Sequence, residues 1–151
     1  MEGVAAQPQV AKGLSDNEVT LIEASSANLK VSVVVKTRNV KASELIGDLG
    51  TLGQFPDTVR VVQKLQITVN GSPIFVPRST YADLLAVRQA EVSLAGRTPT
   101  LQLSGGDASE SYLARIEFDK STVKRRAMFN PAMPGKPLQE TVYYLRVMED
   151  R

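Results

Sequence analysis

The chain has 151 residues and a formal charge of +2, from 18 Lys and Arg against 16 Asp and Glu, with no Cys, His or Trp. Without thiol or imidazole, thiolate nucleophiles, zinc–thiolate and iron–sulfur centres, HExxH sites and Ser-His-Asp triads are excluded, which leaves carboxylate, Lys, Tyr or Ser–Lys chemistry, or none. So small a charge, with only 5% aromatic residues, also argues against a sequence-specific nucleic-acid reader or a base-stacking platform.

The length fits one domain, which can bury roughly 70% of its unfolded surface without a disulfide or a metal. Residues 1–17 lack hydrophobic periodicity and carry Gly, Pro, Gln and Ser, which predicts a flexible tail ahead of a single domain over 18–151. Within the tail, Val4-Ala5-Ala6 before Gln7-Pro8-Gln9 is the small-residue pattern that flanks a signal-peptidase cut. It predicts a periplasmic or secreted protein whose leader has been removed, with a cytoplasmic one as the alternative. No apolar run reaches the ~18 residues of a transmembrane helix.

Beyond the tail, alternation of apolar and polar residues dominates. Residues 19–25 and 29–37 read as a strand pair, with Val31, Val33 and Val35 on one face. Residues 43–49 allow one or two helical turns with Ser43 as N-cap. Residues 59–69 form the clearest strand, with Val59, Val61, Leu65, Ile67 and Val69 alternating with Arg60, Val62, Lys64, Gln66 and Thr68. Gln63 falls on the apolar side and marks a bulge or bend. Asn70-Gly71 then predicts a type I′ hairpin, because both residues accept positive φ, and 74–76 is the short return strand. Residues 79–87 are the best helix candidate, with Thr80 and Asp83 as a variant capping box. Residues 91–95 and 100–104 form another hairpin. Residues 111–119 place Tyr112, Ala114, Ile116 and Phe118 inward, and 123–129 and 141–148 complete the strands. About nine strands with short connections, and one or two short helices at most, predict an all-β fold, an antiparallel β-sandwich or a partly open barrel.

Four motifs are candidates for chemistry. Ser121 and Lys124 have S-x-x-K spacing, but they fall between two strands instead of on one helical turn, and the companion S-D-N and K-T-G elements are missing. Glu117 and Asp119 are a carboxylate pair on a face predicted to be solvated. Asp107 and Glu110 fall short of a calcium loop and read as turn residues after Gly105-Gly106. Gly47, Gly50 and Gly53 fit no phosphate-loop pattern. Neither cofactor nor metal is expected from these residues.

Charge segregation is the stronger signal. Residues 24–43 contain Lys30, Lys36, Arg38 and Lys41 and no acid; residues 120–139 contain Lys120, Lys124, Arg125, Arg126 and Lys136 and no acid. Should the blocks be neighbours, they form one basic face for an acidic protein or polyanionic partner; otherwise they are two solvated strand faces. Tyr143 and Tyr144 fall on opposite faces of the last strand, one in the core and one a surface anchor, with Tyr144 taken as the anchor. The C-terminal part, from FVPRS through SGGDASESY, resembles small exported bacterial proteins in general character and carries no diagnostic motif. The sequence therefore predicts a non-enzymatic binding domain of an exported bacterial protein, with Lys36, Arg38, Lys120, Lys124, Arg125, Arg126 and Tyr144 as contact residues. The alternatives are an inhibitor or immunity-type protein acting through the Met133-Pro134-Gly135 loop, and a carboxylate or Ser–Lys hydrolase. Oligomeric state is left open.

Overall fold

The computed structural model describes residues 6–44, 58–106 and 110–144. Among these, ten strands form two antiparallel sheets without closing into a barrel. The small sheet runs β2 (Val19–Ser25), β3 (Lys30–Lys41), β4 (Thr58–Val69), β5 (Ser72–Pro73). The large sheet runs β1 (Gln9–Gly13), β6 (Val87–Ser93), β7 (Thr100–Gly105), β8 (Tyr112–Phe118), β9 (Val123–Phe129), β10 (Gln139–Val142). No helix among the described residues is long and apolar enough to cross a membrane.

The core is what the alternation predicts. Ile22, Val31, Val33, Val35, Leu65, Ile67 and Val69 line the small sheet; Val92, Leu101, Leu103, Ala114, Ile116 and Phe118 oppose them from the large one. Each large side chain buried in this way stabilises the fold by about 1.5–3 kcal/mol. Asn70 and Gly71 adopt φ of +50° and +86°, and Val69 pairs with Ser72, so the two-residue hairpin forms as its sequence requires.

Two local expectations give way. Five residues of the predicted tail, Gln9–Gly13, form β1 against β6, because Val10 finds the edge of the core. In place of a helix over 79–87 there is a 3₁₀ turn at Arg78–Thr80, with Pro77 at the cap position and no side-chain cap. Asp83 is drawn away to Arg126, and Ala86 takes a φ of +52°, which no helix tolerates. The segment 43–49 shows a 3₁₀ turn at Ala42–Glu44, its remainder lying outside the described residues.

Bulges correct the facing of two strands. Lys36 pairs with Lys64 but Thr37 pairs with Val62, so Gln63 is the extra residue. The bulge inverts the phase: Val62, not Val61, joins Leu65 and Ile67 in the core. In β9, Glu117 pairs with Arg125 and Phe118 with Val123, which makes Lys124 the extra residue. Arg126 thereby turns onto the same face as Ile116, toward the core.

The short return strand does not extend to 76. Instead Phe75 crosses to the other sheet, donating its N–H to Ser121 O at 2.9 Å and accepting from Val123 N at 3.0 Å. Those bonds close one side of the sandwich. Ile74 enters the core while the Phe75 side chain stays exposed.

Candidate partner-binding face

The two basic blocks lie apart, the first on the small sheet and the second on and beside the large one, and Lys124, Arg125 and Arg126 of the second are spent on internal contacts. Arg126, predicted to meet a partner, is 4% exposed. It grips both carboxylate oxygens of Asp83 (Nη1–Oδ1 2.6 Å, Nη2–Oδ2 2.8 Å) and donates to the carbonyls of Ser79 and Thr80, each at 3.1 Å. A guanidinium on an inward-facing strand position thus pins the 78–86 loop across the end of the core. Its Nε and the Thr80 hydroxyl are buried without a hydrogen-bond partner among the described residues. The forked hydrogen bond from Arg126 holds the Asp83 carboxyl below its ordinary pKa, against the opposing effect of burial. The same bond raises Arg126. Beside this pair, burial and then the Asp83 charge push the Tyr112 phenol up, so it stays a donor, at 2.7 Å to Leu85 O.

Arg125 faces outward between two acids. It bonds Glu140 at 2.7 Å and also Glu117, and these bonds raise its pKa while lowering that of Glu140. Lys124 Nζ lies 3.2 Å from Asp119. Burial opposes ionisation of Asp119, but the amides of Ser121 and Thr122 and the Lys124 ammonium outweigh it and hold the carboxyl low. Glu117 and Asp119 therefore serve as ionic and turn partners, and Lys124 is turned to Asp119 from a bulge. Lys120 is exposed in the β8–β9 turn, and Tyr144 is exposed just past β10. Asp107 lies outside the described residues.

The first block is different. On the outer face of the small sheet, register sets three cross-strand rows. Val19, Lys36 and Lys64 form one; Leu21, Val34 and Gln66 the next; Glu23, Ser32 and Thr68 the third. Lys36 and Lys64 stand directly opposite each other, where side chains are about 5 Å apart at Cβ, and neither has an acidic partner among the described residues. Arg38, next along the same face, meets Glu44 only at 3.8 Å, with both side chains more than half exposed, a contact of little energy. Val19 and Leu21 are exposed beside the lysines. Lys30 closes the face at the rim of an open groove of about 650 Å³ that Gln7, Glu23, Ser25 and Ser26 also line.

Sequence reasoning placed Lys36 and Arg38 correctly on an outer strand face but missed Lys64, whose role depends on the register across the Gln63 bulge. It missed the Asp83–Arg126 latch for a similar reason, since 43 positions separate the partners.

Architecture and surface together define a class: an all-β, sandwich-like domain with one apolar-centred basic sheet face. The chain matches no family model, no curated protein and no solved structure.

Proposed function

We propose that this is a non-catalytic binding domain of an exported bacterial protein, docking an acidic protein partner on the outer face of the small sheet. The observation that carries this reading is the Lys36–Lys64 pair. Like charges placed directly opposite on a ladder cost stability, and no described acid offsets them. A partner carboxylate between them would. Val19, Leu21 and Val34 give the face an apolar centre, the anatomy of a protein contact more than of a polyanion track. Export rests on the Val4-Ala5-Ala6 pattern; a native N-terminus at Gln7 would support it and a retained Met1 would reject it.

Opposite signs for stability and binding provide the test. Lys64→Glu creates a cross-strand ion pair with Lys36 and should raise stability by about 0.2–1 kcal/mol. The same change should weaken binding of a peptide alternating Asp and Leu by about tenfold, or ~1.4 kcal/mol, with a loss of the same order on raising salt. Leu21→Ser should also weaken the peptide. Heparin that binds tightly irrespective of Leu21→Ser, with the peptide inert, would replace the protein partner with a polyanion. Failure of both probes rejects the face.

A further inference from the structure

We infer that β10 is the docking edge for a second copy of this chain, two protomers joining antiparallel so that their large sheets become one. The inference does not depend on the small-sheet face. Backbone phase comes first. Tyr143 N–H donates to Lys124 O at 2.9 Å. In an antiparallel ladder alternate residues point their N–H and C=O to the same side, so Thr141 bonds β9 with Tyr143, while Glu140 and Val142 present theirs to the open edge. No described residue takes them.

The outermost strands β2, β5 and β1 carry devices that natural sheets use against pairing. Lys12 Nζ occupies the Leu21 carbonyl on β2, at 2.7 Å. β5 is two residues long and contains Pro73. Just before β1, the Gln7 carbonyl accepts from Ser25 N, tying that edge to the small sheet. β10 has no such protection. Its one charge, Glu140, is neutralised by Arg125 at 2.7 Å. Large apolar side chains gather on and beside it: Leu138 is 75% exposed, Val142 49% and Tyr144 85%.

Self-complementarity identifies the occupant. A two-fold axis at Thr141 pairs Glu140 with the partner's Val142, and Val142 with the partner's Glu140, using all four open N–H groups. The same register sets Leu138 beside the partner's Tyr144, twice. Like charges do not face one another, because each Glu140 meets a valine and stays bound to its own Arg125. An isologous interface needs this pairing of one patch with itself.

Sedimentation of the full chain over a concentration series tests the inference. The wild type should dimerise. Val142→Pro removes an N–H that faces the open edge and leaves the β9 ladder intact, so it should weaken the dimer about tenfold or more. If that variant fails to fold, Leu138→Lys with Tyr144→Lys changes only exposed side chains and should have the same effect. Lys36→Glu with Lys64→Glu should leave the dimer unchanged. A wild type that stays monomeric at millimolar concentration overturns the inference, as does a dimer indifferent to the edge variants or one bound by a different face.

Discussion

Asp83→Ala should cost about 3 kcal/mol of folding stability, and Arg126→Met only about 1–2 kcal/mol, although Arg126 is the buried member of the pair. The asymmetry follows from where each charge is left. Removing Asp83 strands a guanidinium that is 4% exposed and retains only the Ser79 and Thr80 carbonyls. Removing Arg126 leaves an Asp83 side chain that is 63% exposed and readily solvated, plus two carbonyls short of a donor. The solvent exposure of Asp83 is why the first figure is set at the low end for a broken buried pair. The double variant should resemble Arg126→Met alone. Urea unfolding of the four proteins measures the cycle, and an Asp83→Ala loss below about 0.5 kcal/mol would mean that the latch is idle. The pH dependence has a defined sign. A carboxyl with a lowered folded pKa contributes fully above its unfolded value near 3.9, and loses that contribution as pH falls through the folded value. A phenol with a raised folded pKa contributes fully below about 10 and loses it above. With no His or Cys in the chain, side-chain titration predicts flat stability from about pH 5 to 9, with the acid limb softened in Asp83→Asn.

Gly105→Ala should also be damaging, at about 2–3 kcal/mol, the upper range for overpacking. Gly105 pairs with Tyr112 across β7 and β8. A Cβ there would press into the Ala86 carbonyl oxygen and lie 2.7 Å from the Tyr112 hydroxyl. The first obstacle is backbone, fixed by the Gly106 N–H to Ala86 O bond, so it cannot rotate away. Pairing the substitution with Tyr112→Phe should recover part of the loss and no more. Gly135, with open space around its Cβ direction, is the control: Gly135→Ala should stay within about 0.5 kcal/mol. Thermal melts of the three single and double variants decide it, and an undisturbed Gly105→Ala would mean that the 78–86 loop gives way freely.

What the sequence revealed follows the range of the interactions. Alternation in 29–37 and 111–119 is a property of neighbours along the chain, so Val31, Val33, Val35, Ala114, Ile116 and Phe118 were all legible. Asn70-Gly71 carries its turn within two residues. The facing of Val61, Val62 and Arg126 was not legible, because a bulge shows only against a partner strand. Gln63 was visible as a break in pattern; Lys124 was not, since no apolar residue falls out of step there. Thr80 and Asp83 looked like a helix start because local capping and a distant guanidinium compete for the same carboxylate. For the candidate site, Lys36 and Arg38 could be read as a charged strand face. The opposition of Lys36 and Lys64, and the neutralisation of Arg125 by Glu117 and Glu140, exist only once the sheets are ordered.

The order of strands also sets an order of assembly. β2 to β5 and β6 to β10 are each sequential meanders, so either sheet can zip from its own hairpins at little loop-closure expense. β1 is the exception: its partner is β6, and the whole small sheet lies between them. During synthesis, β1 emerges first and waits longest, its Val10 kept from the core until β6 has left the ribosome. The strand that completes the large sheet is therefore made before the whole of the small sheet, and its docking adds a tie between the sheets beside the Phe75 bonds to Ser121 and Val123.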